Sequence, residues 1–328
     1  MVTIDTIRKP IEAELAEFDS FVRSHFSAEG GLLSEMLEYV LSSRGKGIRP
    51  MIAMLSAAMI SPSGTIGKRT YLAAMLVEMI HMASLIHDDV IDDADKRRGR
   101  PSVNARWQSK NAVLAGDYVL ARNMDIGMSS GQYDIVSHVI RTIATLCEGE
   151  VLQGDHASKM DTSREDYFEI IGKKTASLIA VSASAGALSV KGTPAQIAAM
   201  HRFGEAAGMA FQIADDILDY TSQSSVTGKP VNADIRERKI TLPLIEVLER
   251  ADAEHRRELL DAVAVCADDP SKAEFVRSAV EREGGIERAR EVMKAYLQRA
   301  MSVLSQFEPS PYRESLTQFC SYVAEREK

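Results

Sequence analysis

Two short segments carry carboxylates at a spacing that can do chemistry. They are His87-Asp88-Asp89-Val90-Ile91-Asp92-Asp93 and Phe211-Gln212-Ile213-Ala214-Asp215-Asp216-Ile217-Leu218-Asp219. Each contains a DDxxD pattern whose outer aspartates stand four residues apart. On a helix this spacing puts Asp88 over Asp92, and Asp215 over Asp219, each pair on one face. At about 100° per residue, Gln212, Asp215 and Asp219 fall within about 60° of one another. Ile213, Ala214, Ile217 and Leu218 take the opposite side, and in the first segment His81 falls close to the Asp88/Asp92 direction. Like charges at this spacing cost a helix about 0.2–0.5 kcal/mol per pair, so two such clusters call for an external cation. Mg²⁺ suits them, because it is a hard ion that keeps waters and binds phosphate oxygens beside one or two carboxylates. No glycine-bearing calcium loop of EF-hand spacing is present.

Basic residues accompany both clusters. Lys96-Arg97-Arg98-Gly99-Arg100 follows the first, while Gly228-Lys229-Pro230 and Arg236-Glu237-Arg238-Lys239 follow the second. Arg44-Gly45-Lys46-Gly47-Ile48-Arg49-Pro50 forms a glycine-flanked basic loop, and Lys173-Lys174-Thr175 interrupts an apolar run. Metal-binding acids together with several Arg and Lys positions are what a diphosphate site requires. Arg offers bidentate hydrogen bonds to phosphate oxygens, Lys a point charge, and a divalent cation bridges the remaining oxygens.

The elements that must position these groups read as helices. Apolar residues recur at helical spacing over Met51–Ile60, Tyr71–Val90, Asn111–Met128, Tyr133–Gln153, Tyr167–Val190 and Gln196–Tyr220. Further helical stretches lie around Leu244–Arg250, Ala273–Arg282 and Ile286–Phe307. Loops are expected at 42–50, 93–110, 154–165 and 221–240, with the 10 prolines mostly at segment edges. Alternating runs bounded by turn residues are almost absent, so no strand is expected. The pattern predicts a single all-α domain spanning residues 1–328.

Composition narrows the function. In 328 residues, hydrophobic types make up 45% and charged types 26%, as in a soluble globular chain. A net charge of -8 argues against a nucleic-acid binder and leaves room for a locally basic site facing a small polyanion. Cys147, Cys266 and Cys320 lie far apart with no zinc spacing, which suits a reducing cytoplasm. Asp5, Glu12 and Glu14 near the start argue against a secretory signal. The longest weakly polar stretch, Leu178–Val190, is too short to span a bilayer.

Taken together, the ordered motifs resemble the trans-isoprenyl diphosphate (polyprenyl) synthase family, from about residue 30 to the end. They run Gly45-Lys46…Arg49-Pro50, Glu78…His81…Asp88-Asp89…Asp92 with Arg97-Arg98-Gly99, and Gly149-Glu150…Gln153. Lys174-Thr175, Phe211-Gln212…Asp215-Asp216…Asp219, Gly228-Lys229-Pro230, and Lys239 before Thr241-Leu242-Pro243 complete the set. Two positions depart from the family pattern. Arg44 stands at the usual first glycine of the basic loop, and Arg238 precedes Lys239 where glycine is usual.

The resemblance implies an isoprenoid-synthase helical bundle around a central cavity. It implies head-to-tail 1'-4 condensation of isopentenyl diphosphate with an allylic diphosphate, farnesyl or geranylgeranyl, to an all-trans polyprenyl diphosphate for a quinone side chain. Asp88 and Asp92, with Asp215 opposite, would hold three Mg²⁺ ions, supported through water by Asp216 and Asp219. Arg97, Lys174 and Lys229 would bind the allylic diphosphate, with Thr175 and Gln212 beside the developing cation. Lys46, Arg49, His81 and Arg98 would bind isopentenyl diphosphate, and Lys239 would close the cavity. The departing diphosphate would accept the proton. Ala83 and Ser84 sit where short-chain members carry bulky aromatics, which favours a hexaprenyl to decaprenyl product, near octaprenyl. A homodimer, and weak contact with a membrane surface for product release, are also implied. The rival readings are a farnesyl or geranylgeranyl diphosphate synthase, a terpene cyclase, which usually lacks the second DDxxD, and a catalytically silent helical partner of a two-component synthase.

Overall fold

The computed structural model describes residues 2–26, 30–43, 45–221 and 233–326. Its helices are α1 (Ile4–Arg8), α2 (Glu12–His25), α3 (Gly31–Ser42), α4 (Ile48–Ile60) and α5 (Lys68–Ile91). Then follow α6 (Val103–Ser129), α7 (Tyr133–Lys159), α8 (Arg164–Ile171), α9 (Ser177–Ser189) and α10 (Pro194–Thr221). The carboxyl-terminal part holds α11 (Ala233–Arg236), α12 (Leu242–Leu248), α13 (Ala253–Val265), α14 (Pro270–Arg282), α15 (Gly285–Leu304) and α16 (Pro311–Glu325). The expected all-α architecture is what the chain adopts.

Helix ends follow local chemistry. Ser102 caps α6 by accepting from the Ala105 amide, so this helix begins inside the loop expected at 93–110. Ser163 and Asp166 form a reciprocal capping box at α8. Helix α7 runs on to Lys159 and shortens the loop expected at 154–165. Proline occupies the first turn of α12, α14 and α16, where its missing N–H costs nothing.

One expectation fails locally. Lys96–Arg97 (β1) and Arg100–Pro101 (β2) pair antiparallel, Arg97 opposite Arg100. Two residues per strand are too few to show alternation. The link is a two-residue turn with φ of 53° at Arg98 and 75° at Gly99, the doubly left-handed turn that matches strand twist.

Helix α9 sits at the centre. It is apolar all round, buried along nearly its whole length, and packs on α4, α5, α7 and α10. Its buried Ser182 and Ser189 hydroxyls return hydrogen bonds to Leu178 and Gly186 carbonyls one turn back. Gly186 lets α4 come close, since a Cβ there would meet the Ala53 carbonyl oxygen at 2.1 Å. Helix α5 is long and apolar enough to cross a membrane, yet its apolar window is mostly buried against α4, α6 and α9. It is a core helix whose last turn carries the first aspartate cluster.

Candidate active site

The carboxyl-terminal ends of α5 and α10 open on one cavity of about 620 Å³, lined by Asp88 and Asp92 from the first and by Asp215 and Asp216 from the second. Further walls come from the basic loop before α4, the hairpin, α7, α8, the turn between α8 and α9, the 234–241 segment and Arg326 just past α16.

In the first cluster Asp88 and Asp92 line the cavity, while Asp89 points away and is buried. Asp89 accepts two hydrogen bonds from Arg97, at 2.8 Å from Nε and 2.5 Å from Nη2. It therefore anchors the hairpin and presents the arginine to the cavity. Asp88 is pushed up to about 6, by burial first and then by the nearby Glu150 carboxylate. Lys174 and Arg97 oppose that rise, and Asp92 adds to it.

The second cluster divides its work. Asp215 accepts from Arg326 at 2.7 Å. Asp216 is buried, with one oxygen accepting from the Tyr167 hydroxyl at 2.6 Å and the other from Gln212 Nε2 at 2.8 Å. Gln212 in turn accepts from the Thr175 hydroxyl at 2.7 Å. Burial, with Asp234 nearby, pushes the Asp216 carboxyl well above its ordinary value. Asp219 accepts from the backbone amides of Ala233 and Asp234, both at 3.1 Å, and caps α11 outside the cavity wall. Asp216 and Asp219 thus both accept from protein donors, and Asp216 also lines the cavity.

The cations converge on the same space. Lys46, Arg49, His81, Arg97, Arg98, Lys174 and Lys239 all line it, with Thr175 and Gln212. Lys229 lies outside the described residues, as does Arg44. Arg49 is half-buried, and loss of solvation lowers its guanidinium to about 10 against the opposing pull of Glu78, while its buried Nε has no hydrogen-bond partner. Arg98, on the left-handed side of the hairpin turn, donates to the Ser43 carbonyl at 2.6 Å. Its guanidinium lies where a Cβ at Gly45 would stand, at 2.6 Å, which explains that glycine. Burial drives the His81 imidazole well below its ordinary value, and Arg49, Arg98 and Arg97 reinforce this, so it stands neutral. Burial works against the Lys239 ammonium, but Glu237 beside it holds it above its ordinary value, aided by Asp92 and Asp234. Ser84 lines the cavity and donates to the His81 carbonyl, whereas Ala83 is fully buried behind it.

An orphaned buried guanidinium nitrogen and a neutral imidazole among three arginines make an anion subsite. The carboxylates of Asp88, Asp92 and Asp215, facing one cavity, are the donor type a hard divalent cation takes. Among the described residues no three acidic, His or Cys side chains converge tightly enough to hold an ion unaided.

The family model described as Polyprenyl synthetase matches residues 31–282. The chain belongs to the polyprenyl synthetase family. It is 38% identical over 294 residues to a short chain isoprenyl diphosphate synthase of Methanothermobacter thermautotrophicus, covering 88% of this chain and 89% of that one. A decaprenyl diphosphate synthase from Rhodobacter capsulatus superposes with a TM-score of 0.91 at 30% identity, over 99% of this chain and 100% of that one. A Caulobacter crescentus CB15 polyprenyl synthase complexed with calcium and isoprenyl diphosphate gives 0.92 at 27%, over 100% and 99%. The chain is accordingly a trans-prenyltransferase of the divalent-metal, isoprenyl-diphosphate class.

Several cavity residues escaped the sequence. Arg326, just past the last helix, lines the cavity and lies 4.4 Å over the Phe211 ring, while Tyr322 on that helix accepts from the cavity residue Lys46 at 2.7 Å. Tyr167 and Asp234 also line the wall. Their partners lie far away in the chain, and no local spacing marks them.

Proposed function

We propose that the chain extends farnesyl or geranylgeranyl diphosphate with isopentenyl diphosphate, using Mg²⁺, three ions with substrate bound, to give an all-trans medium-to-long polyprenyl diphosphate near octaprenyl for a quinone side chain. The observation that carries this reading is the convergence of Asp88, Asp92 and Asp215 with Lys174, Arg97 and Lys239 on a cavity that also has apolar lining at Leu85, Leu146 and Leu178. When bound, Mg²⁺ supplies charge neutralisation to the departing diphosphate.

In this reading Arg97 and Lys174 bind the allylic diphosphate, together with Lys229. Lys46, Arg49, His81 and Arg98 grip isopentenyl diphosphate on the other side. The Thr175 and Gln212 oxygens face the developing allylic cation, their orientation fixed by the chain from Thr175 through Gln212 to Asp216. Leaving-group stabilisation by groups set in advance is the main catalytic contribution. Lys239 and the apolar wall exclude water, which would quench the cation. No side-chain base is required, because the departing diphosphate takes the proton.

Small residues at Ala83 and Ser84 support a long product. Below them lie buried Met75, Met79 and Met82, flexible side chains that can repack around a lengthening chain. The whole of residues 1–328 acts as a single catalytic domain in this reading. Exposed apolar side chains at Val113 and Leu114 on α6, and at Ile140 and Val151 on α7, support a homodimer. Three free cysteines support a cytoplasmic location. Product release would involve weak contact with a membrane surface. The test is incubation with labelled isopentenyl diphosphate, farnesyl diphosphate and Mg²⁺, followed by sizing of products. Chains of about eight units support the reading. Products that stop at four units or fewer give the short-chain alternative, and absence of condensation defeats the reaction itself.

A further inference from the structure

The motif Gly149-Glu150…Gln153 has no role in the chemistry above, yet it meets the turn that carries Lys174. Residues Gly172–Ala176 form a π-helical turn between α8 and α9, a widened geometry frequent at functional sites. Helix α7 packs directly against it. A Cβ at Gly149 would stand 2.8 Å from the Lys174 amide nitrogen and 2.9 Å from the Lys173 Cβ, so only glycine permits this approach. The residues around Gly149 then sort the two lysines. Glu148, with Glu169, pairs Lys173 on the outer side. Glu150 and Gln153 accept from the Lys174 ammonium at 2.7 Å and 2.8 Å, and all three line the cavity.

An ammonium has three hydrogens. Two are taken here, which leaves one for a ligand and fixes its direction. The arrangement also settles a competition. Lys174 lies within electrostatic reach of Asp88, and a freely swinging ammonium would settle on that carboxylate and neutralise a metal donor. Glu150 and Gln153 hold it off.

We propose that Glu150 and Gln153 are positioning residues that aim the Lys174 ammonium at the allylic diphosphate and keep it from closing onto Asp88. The role rests on the proposed prenyl transfer for its substrate, but the coupling between residues 150 and 174 can be read without turnover. A purely structural ion pair would affect folding or both substrates alike. A positioning pair acts through Lys174 and on the allylic side only.

The experiment is a double-mutant cycle on the full chain with Glu150→Ala, Lys174→Ala and the double variant. One readout is calorimetric binding of inorganic pyrophosphate with Mg²⁺. The other is the separate KM for farnesyl and isopentenyl diphosphates. Glu150→Ala is expected to weaken pyrophosphate binding and raise the farnesyl diphosphate KM roughly tenfold, with the isopentenyl diphosphate KM within about twofold. The double variant should bind no worse than Lys174→Ala alone, and Glu150→Gln, which keeps an acceptor, should recover most of the loss. Losses that multiply in the double variant overturn the inference, as do equal rises in both KM values or an unchanged Glu150→Ala. Should Glu150→Ala fail to fold, Gln153→Ala carries the same cycle. A wild type that binds pyrophosphate with coupled losses yet condenses nothing defeats the proposed function and leaves the positioning role standing.

Discussion

The Arg326 guanidinium donates to Asp215 at 2.7 Å, so the carboxyl-terminal turn puts a protein cation on the first aspartate of the second cluster. One of its nitrogens, Nη1, is buried without a hydrogen-bond partner, and the guanidinium lies over Phe211. A divalent ion arriving at Asp215 competes with this contact, because two cations at one partly buried carboxylate repel each other.

Arg326→Gln should therefore raise the affinity of the substrate-free protein for Mn²⁺ severalfold. Titration followed by the electron paramagnetic resonance of free Mn²⁺ reads this directly. Unchanged or weaker binding would show that Arg326 does not compete for Asp215.

The metal-free protein should lose stability as pH rises past the Asp88 titration. Burial and Glu150 raise its carboxyl from 3.8 to about 6 in the folded state, so folding disfavours the ionised form. The contribution is neutral below about pH 4, becomes unfavourable between 4 and 6, and is fully unfavourable above. In EDTA at pH 7.5, Asp88→Asn should be more stable than wild type on the order of 2 kcal/mol, a gap that closes near pH 4. With Mg²⁺ and pyrophosphate the order should reverse. Urea denaturation at both pH values checks the sign.

Arg238 costs stability for its conformation. It sits at φ 57°, past the end of α11, where its amide bonds to the Ile235 carbonyl and the Lys239 amide bonds back to Asp234. This is a helix terminus that favours glycine. The closure forms with arginine at the position where the family usually has glycine, and the left-handed backbone is kept. Arg238→Gly should gain about 1 kcal/mol in urea unfolding. A loss would mean that the side chain does more than the backbone demands.

Product length should respond at the cavity wall. Ser84→Phe fills space beside Asp88 on the lining face of α5, so its products should shorten by at least several isoprene units. Ala83→Phe, buried behind that face, should also shorten them, at a cost of roughly 1–3 kcal/mol from overpacking. Identical chain-length distributions in both variants would remove these residues from length control.

Much of this was legible in the sequence because it depends on period and spacing. Helical periodicity marked α4 through α10, and the paired carboxylates marked the ends of α5 and α10. What stayed hidden depends on who meets whom. The wheel puts Asp219 on the face of Asp215, but only the folded chain gives its oxygens to the Ala233 and Asp234 amides. Asp216 likewise finds Tyr167 on another helix. Asp89, inside the first motif, is claimed by Arg97, which folds back over eight residues to reach it. The π-helical turn at Lys174 leaves no mark in a 3.6-residue pattern, and Arg326 reaches the cavity, and Tyr322 its Lys46, from the far end of the chain.

The central claim is that both aspartate clusters serve a single diphosphate. A crystal structure with Mg²⁺ and unreactive farnesyl thiolodiphosphate tests it most directly. The expected result is one diphosphate bridged through ions to Asp88 and Asp92 on one side and to Asp215 on the other, with Arg326 released. Ions confined to one cluster, or a diphosphate bound away from either, would contradict it.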